Sequence, residues 1–244
     1  MEGKLITIEG ISGMGKTYYF NKLKEDFKDN EDIVFQNEIT DGNHNGYGNS
    51  IFKILYSTRS RFFDIGNSKA ETLLIAAKQA FDDKDYVEPL LQEGKIIISD
   101  RGFDSVCVIE SVMLKKELNN SSYVNSIMLN EVLSFFNRVP DKTILLVGDT
   151  EKAITRAEVR DMTKDLECGR EPVKYTVEEK DILRECAVLY NMYSDLYSDR
   201  IVSINRDSDE NVYERIKGII ENELEKRKEK RKNYENNTSN RKLG

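Results

Sequence analysis

Apolar and polar positions along the chain alternate between two periods. Short apolar runs of strand length occur at Lys4-Leu5-Ile6-Thr7-Ile8-Glu9, Ile33-Val34-Phe35-Gln36, Lys95-Ile96-Ile97-Ile98-Ser99-Asp100, Thr143-Ile144-Leu145-Leu146-Val147-Gly148-Asp149 and Arg200-Ile201-Val202-Ser203-Ile204-Asn205. The isoleucine run at 96–98 has no alternation, which predicts a strand covered on both faces. Between the runs lie stripes at helical spacing. These are Phe20, Leu23 and Phe27; Ala70, Leu73, Leu74, Ala77 and Phe81; Tyr86, Val87, Leu90 and Leu91, continuing to Gly94; Val124, Ile127, Met128, Val132 and Phe135; Ile182, Cys186, Leu189 and Tyr193; and Val212, Ile216, Ile219 and Ile220. A short helix is also expected over 51–56. Strands alternating with helices predict an α/β fold, a parallel sheet with helices on both faces.

The stretch 40–49 is polar and glycine-rich, which makes it a loop. It follows a strand of the predicted sheet, where ligands bind in such folds, so its length points to function. Arg59, Arg61 and Lys69 follow in an irregular segment. From about residue 221 the chain turns Glu-Lys-Arg-rich and ends in Asn, Ser and Gly. That composition predicts a charged helix end and a disordered tail over 221–244.

Composition narrows the picture. With 244 residues, 39% of them hydrophobic, the chain can bury a sizeable core. A net charge of −7 argues against a general nucleic-acid binder. No apolar run approaches the roughly 20 residues that span a bilayer, so no membrane association is expected. The N-terminus is strand-like, so no signal peptide is expected. Cys107, Cys168 and Cys186 are odd in number and far apart, which fits reduced thiols in a cytoplasmic protein. The one histidine, His44, falls in the polar loop and reads as a loop residue, not a base.

The chemistry centres on Gly10-Ile11-Ser12-Gly13-Met14-Gly15-Lys16-Thr17, which fits G-x-x-x-x-G-K-[ST], the phosphate-binding P-loop. It stands between a predicted strand and a predicted helix, the context the motif requires. Glycines let the backbone turn tightly and aim N–H groups inward, and the helix behind directs its positive end at the bound phosphates. Gly10, Ser12, Gly13, Met14, Gly15, Lys16 and Thr17 are therefore the expected ATP-binding residues. Lys16 is expected to bridge the β- and γ-phosphates, and the Thr17 hydroxyl to bind Mg2+. Asp100 ends a buried strand, the place of a magnesium-supporting acid, although an aspartate there could instead cap a helix. Arg101, next to it, can grip a phosphate with two parallel hydrogen bonds. Arg156 and Arg160 are i, i+4 and share one helical face. They are either charge-neutralising catalytic residues of a closing lid or an ordinary exposed charged face.

Taken together, these residues resemble the thymidylate kinase family of P-loop nucleotide kinases. The resemblance runs from about residue 3 to 220. It rests on Ile8-Glu9-Gly10 with the P-loop, on Ala70-Glu71-Thr72-Leu73-Leu74-Ile75-Ala76-Ala77, on Asp100-Arg101-Gly102-Phe103-Asp104-Ser105 set against the family's Asp-Arg-Tyr-x-x-Ser, and on Arg156-Ala157-Glu158-Val159-Arg160 set against its lid. It implies a three-layer P-loop NTPase sandwich of strand order 2-3-1-4-5 over residues 1–220, with a lid at about 151–175 and often a homodimer. The activity it implies is transfer of the ATP γ-phosphate to a nucleoside monophosphate. Arg101 would clamp phosphate between donor and acceptor, and the lid arginines would be catalytic, because the P-loop residues Ile11, Ser12, Gly13 and Met14 carry no base.

The departures fall on the acceptor side. Ser12 replaces an acidic P-loop residue. Asn37-Glu38-Ile39-Thr40-Asp41 stands for the family's Arg-Glu-Pro-Gly-Gly. The family's helix arginine has no match in Ala77-Lys78-Gln79-Ala80-Phe81, though Lys78 is adjacent. Glu9, Phe81, Asp104 and Ser105 are the acceptor-side candidates. Thymidylate is thus a less secure expectation than ATP. Two other readings stay open. One is a kinase for a nucleoside or another hydroxyl compound, with Glu9 or Asp104 as base. The other is an NTP-driven switch or ATPase with no small acceptor.

Overall fold

The structure, a computed structural model, describes residues 3–37, 46–57, 62 and 65–241. All five expected strands form: β1 (Lys4–Glu9), β2 (Ile33–Gln36), β3 (Ile96–Asp100), β4 (Lys142–Val147) and β5 (Ile201–Asn205). They make one parallel sheet in the order β2-β3-β1-β4-β5. The helices are α1 (Lys16–Asp26), α2 (Tyr47–Tyr56), α3 (Ser68–Asp82), α4 (Glu88–Gln92), α5 (Phe103–Leu118), α6 (Ser122–Leu133), α7 (Thr150–Glu167), α8 (Val177–Leu196) and α9 (Val212–Arg241), with a π-helical turn, Asp83–Val87, between α3 and α4. Ile6, Ile8, Ile96, Ile97, Ile98 and Ile144 are wholly buried, because helices cover both faces of the central strands.

This order decides where the site lies. The chain leaves β1 with β3 on one side and β4 on the other, so a crevice opens at the carboxyl ends of β1 and β3. Parallel pairing sets Ile8 opposite Asp100. The P-loop after β1 and the Asp100-Arg101 pair after β3 therefore leave the sheet side by side.

Three elements differ from the sequence expectation. Helix α5 carries no single apolar stripe, because Phe103, Val106, Cys107, Val108, Val112 and Leu114 are buried around it; a helix enclosed on most sides loses the one-faced signal. Helix α6 is turned the other way: Val124, Met128 and Val132 are exposed, as is Phe135 just beyond, while Asn125, Ser126, Asn130 and Leu133 are buried. The Tyr193 hydroxyl donates to Ser126 O at 2.9 Å and Asn125 Nδ2 to Ser111 O at 3.3 Å, so part of this polar inward face is paired with α5 and α8, while Asn125 Oδ1, Ser126 Oγ and Asn130 Nδ2 have no hydrogen-bond partner among the described residues. Finally, the stretch expected as a charged helix end and a disordered tail is helical as far as Arg241. Its Arg227 pairs with Asp32 at 3.0 Å and ties the helix back to the start of β2. The loop residues 38–45, including His44, and Arg59 and Arg61 lie outside the described residues.

The stretch Ala70-Glu71-Thr72 turns out to be a strut. Glu71 is buried and its Oε1 accepts from Ile65 N at 2.9 Å and Asn67 N at 3.1 Å, while Thr72 Oγ1 donates to the buried Glu110 at 2.9 Å. These bonds fix the start of α3 against α5.

Candidate active site

The P-loop closes tightly because its glycines leave room for other backbone. Gly13 sits at φ 83° with the Ala153 carbonyl 1.9 Å from where a Cβ would be, so α7 rests directly on the loop. At Gly10, φ 131°, a Cβ would stand 2.5 Å from the Leu146 carbonyl oxygen. Lys16 opens α1, and its Nζ donates to Gly10 O at 2.8 Å and Ile11 O at 3.1 Å, which folds the side chain across the mouth of its own loop. The Thr17 hydroxyl donates to Asp100 Oδ2 at 2.9 Å. Two residues 83 apart in the chain thus meet where β1 and β3 end side by side.

Arg101 is a non-glycine residue in left-handed backbone, φ 72°. Such a conformation is uncommon and gathers at functional sites. Ser99 Oγ donates to the Arg101 carbonyl at 2.7 Å and Arg101 N donates to Ile8 O at 3.1 Å, which together hold the turn. The guanidinium reaches Gly10 O at 3.1 Å and Ser105 Oγ at 3.2 Å. Arg101, Ser105 and the P-loop are therefore in contact.

Behind them lies a buried carboxylate network. Glu9 is wholly buried; its Oε2 accepts from the Ser105 hydroxyl and from Tyr190 OH at 3.2 Å. Burial pushes its carboxyl up to about 8, with the charge of nearby Asp104 adding to the effect. Asp104 is wholly buried as well. Its Oδ2 and Oδ1 accept from Arg200 at 2.8 and 2.7 Å, and Oδ2 also accepts from Thr143 at 2.7 Å. Asp104, expected on the acceptor side, is thus engaged by Arg200 and Thr143: successive residues on a helix point about 100° apart, so Ser105 turns toward the P-loop while Asp104 turns toward β4 and β5. Sequence reading missed both Tyr190 and Arg200. Tyr190 is four residues after Cys186, inside the periodicity of α8, and could have been found; Arg200 carried no local signal.

A pH dependence follows. A carboxyl raised from 4.5 to about 8 means the folded chain keeps a proton that the unfolded chain releases across that window. Stability falls as pH rises through it. Burial raises Glu110 to about 8 and Asp83 to about 7, so both act in the same direction. Replacing Glu9 by Gln is expected to flatten the decline, by up to ~1.4 kcal/mol per pH unit for the one proton removed. Urea melts of both proteins at several pH values check this, and parallel curves would show that Glu9 ionises freely in the folded chain.

Arg156 and Arg160, the two arginines expected on a lid, are placed differently. Arg156 Nε donates to Gly13 O at 2.9 Å. Arg160, one turn on, is exposed and pairs with its neighbour Asp161 at 2.7 Å. Lys78, considered as a stand-in for a missing acceptor arginine, is 2% exposed and bound to the equally buried Asp82. A paired charge in such surroundings is costly to separate, so Lys78 is not available to a ligand. Phe81 is partly exposed and lies against Tyr47 of α2, ring centroids 5.7 Å apart. Ser12 is half-buried in the loop, whereas the Met14 side chain belongs to the core, so Met14 can offer a ligand only its backbone.

Known proteins were compared with this chain. A sequence profile of the family described as Thymidylate kinase matches residues 8–216. A "Probable thymidylate kinase" of Methanococcoides burtonii is 27% identical, covering 91% of this chain and all of that protein. A "Thymidylate kinase" of Maridesulfovibrio salexigens is 30% identical, covering 87% of this chain and 96% of that one. Among solved structures, the thymidylate kinase of Candida albicans superposes with a TM-score of 0.59 at 19% identity, covering 91% of this chain and 92% of that one. The Ehrlichia chaffeensis enzyme gives 0.58 at 18%, covering 91% and 99%. At those identities the structures speak for the fold, and the profile speaks for the family. Matched over most of its length and sharing the fold of solved thymidylate kinases, the chain belongs to the thymidylate kinase family of ATP-dependent nucleoside monophosphate kinases.

Proposed function

We propose that the chain transfers the ATP γ-phosphate to a nucleoside monophosphate across the crevice between the P-loop and Arg101, and that thymidylate is a weak acceptor. The observation that carries this is the meeting of Lys16, the Thr17–Asp100 pair and Arg101 around one loop. A hydroxyl bonded to a carboxylate at the loop's mouth suits Mg2+, which takes a few oxygens from protein and the rest from phosphate and water. When bound, the ion would neutralise phosphate charge; Thr17 and Asp100 would hold it. Lys16 would bind the β- and γ-phosphates. Arg101, locked by its backbone turn, would hold the phosphate passing between donor and acceptor. Ser105 orients that guanidinium, with Glu9 and Tyr190 behind it. Phe81 offers an aromatic face for the acceptor. A coupled ADP-release assay over a panel of nucleoside monophosphates and nucleosides tests the reading; turnover only with nucleosides, or equal turnover with no acceptor, would overturn it.

Arg156 touches the P-loop already, and Arg160 could reach it only by leaving Asp161. Both are proposed to act on transition-state charge. Arg156→Ala is expected to lower kcat by about a hundredfold, Arg160→Ala by less, with ATP affinity changing far less in each. Unchanged kcat in either folded variant would return that residue to the exposed-face reading.

We also infer a homodimer through α6. Its outward apolar face, Val124, Met128 and Val132 with Phe135 and Phe136 beyond, is the reverse of an ordinary surface helix and fits burial against a second copy. Sedimentation of Met128→Glu is expected to give monomers where the parent gives dimers; a monomeric parent would refute the interface. Cys107, Cys168 and Cys186 are all free thiols, which supports placement in a reducing compartment such as the cytoplasm. Among the described residues no helix is long and apolar enough to cross a membrane.

A further inference from the structure

Arg206 belongs to none of the expectations above. It follows β5, and its N–H donates to Val147 O at 2.9 Å, continuing the β4–β5 ladder for one more step. That bond carries the side chain to the outer flank of the P-loop. Its Nη1 donates to Gly13 O at 3.2 Å, the same carbonyl that Arg156 Nε bonds at 2.9 Å. Nη1 also lies 3.1 Å from the point where a Cβ on Gly15 would stand, so the guanidinium sits beside the amino end of α1. Two positive groups from separate elements thus converge on one neutral oxygen.

Their other donors are under-used. Arg206 Nε and Arg156 Nη2 are buried N–H groups with no hydrogen-bond partner among the described residues. Buried donors are nearly always paired, and leaving one unpaired costs free energy. The one nearby carboxylate, Asp207, does not serve them: its Oδ1 is 3.9 Å from Arg156 Nη1 and 4.0 Å from Arg206 Nε, and its Oδ2 accepts from Asp149 N at 2.6 Å. Two guanidiniums share one distant carboxylate, beside backbone whose motif and helix end already favour anions.

We propose that Arg206 is a donor-nucleotide binding residue, holding the ATP phosphates nearest the amino end of α1 in the ground state. The inference rests on the kinase reading and deepens it. Arg206 is anchored to the sheet through Val147 and packs over Gly148, whose Cβ would come within 3.2 Å of Arg206 Cγ. It follows β5 and does not ride on α7, as Arg156 does. A contact present equally before and during transfer raises affinity and leaves kcat alone.

The test compares Arg206→Ala, Arg206→Lys and Arg206→Gln with the parent, using steady-state kinetics and calorimetric titration with ATP, ADP and adenosine. Arg206→Ala is expected to raise the ATP KM and to weaken ATP and ADP binding by about tenfold or more, with kcat within about threefold and adenosine binding unmoved. Arg206→Lys, which keeps the charge, should recover most of the loss; Arg206→Gln, which keeps a donor for Gly13 O but no charge, should not. Unchanged ATP and ADP affinity in Arg206→Ala, parent-like affinity in Arg206→Gln, an equal loss for adenosine, or a fall in kcat at constant KM would each overturn the assignment. A parent protein that binds no ATP would instead overturn the kinase reading beneath it.

Discussion

Lys16→Ala is expected to lower phosphoryl transfer by about a thousandfold or more while the fold survives. The side chain is held by two backbone carbonyls of its own loop, Gly10 and Ile11, at 2.8 and 3.1 Å. Those bonds keep the ammonium at the mouth of the P-loop, where triphosphate charge must be met. Neutral carbonyls are weak competitors for a cation once phosphate oxygens arrive, because charge-assisted bonds are roughly twice as strong as neutral ones. Removal of a single well-placed donor elsewhere costs ~10²–10³ in kcat, and here a full charge goes with the donor. The fold should tolerate the change, since α1 begins at Lys16 and its buried anchors are Phe20 and Leu23. Rate measurements on a variant with parent-like circular dichroism and thermal melting decide the matter. Near-normal turnover would mean the loop is not the donor site.

Thymidylate is expected to be phosphorylated at least about a hundredfold less efficiently than is ordinary for this chemistry. A phosphate monoester carries close to two negative charges, and taking it out of water requires paired donors. The family pattern supplies several arginines; here Asn37 and Gln79 stand where two of them would be, and Ser12 replaces an acid that would meet the sugar. Each lost charge-assisted bond is worth roughly 1.5–3 kcal/mol. Two losses amount to about two to four powers of ten in acceptor binding. Lys78 could have compensated had it been free, but it is buried with Asp82. Arg101, bonded to Gly10 O and Ser105, is then the guanidinium proposed to meet the acceptor phosphate, while Arg156 and Arg206 lie at Gly13 O. The coupled ADP-release assay with thymidylate is decisive. An efficiency of roughly 10⁴ M⁻¹s⁻¹ or better would show that the acceptor side works despite these replacements, and Arg59→Ala and Arg61→Ala would then be the variants to compare.

How much of this was legible beforehand depended on whether the signal was local. The five strands are short apolar runs, the P-loop is a contiguous motif, and alternation of strand and helix restricts the sheet to a few parallel orders. Asp100 and Arg101 could be picked out because they end an unbroken isoleucine strand. Backbone chemistry and hydrophobic period act over a few residues, so one sequence suffices to read them.

The direction in which a side chain finally points was decided only by tertiary packing. Asp104 and Ser105 are neighbours with the same prior claim on the acceptor side, yet one is taken by Arg200, which joins it from 96 residues away, and the other by Arg101 and Glu9. Lys78 reads as a mobile cation until α3 is packed and Asp82 captures it in the core. The apolar stripe of α6 reads as core-facing until α5 and α8 present polar partners to its other face. Arg206 had no motif at all; the pairing of β5 with β4 brings it to Gly13, 193 residues away in sequence. For Asp104, α6 and Arg206 the deciding partner is remote along the chain, and for Lys78 and Asp82, only four residues apart, it is their shared burial that decides; in the interior, low dielectric and close packing make such contacts outweigh local preference.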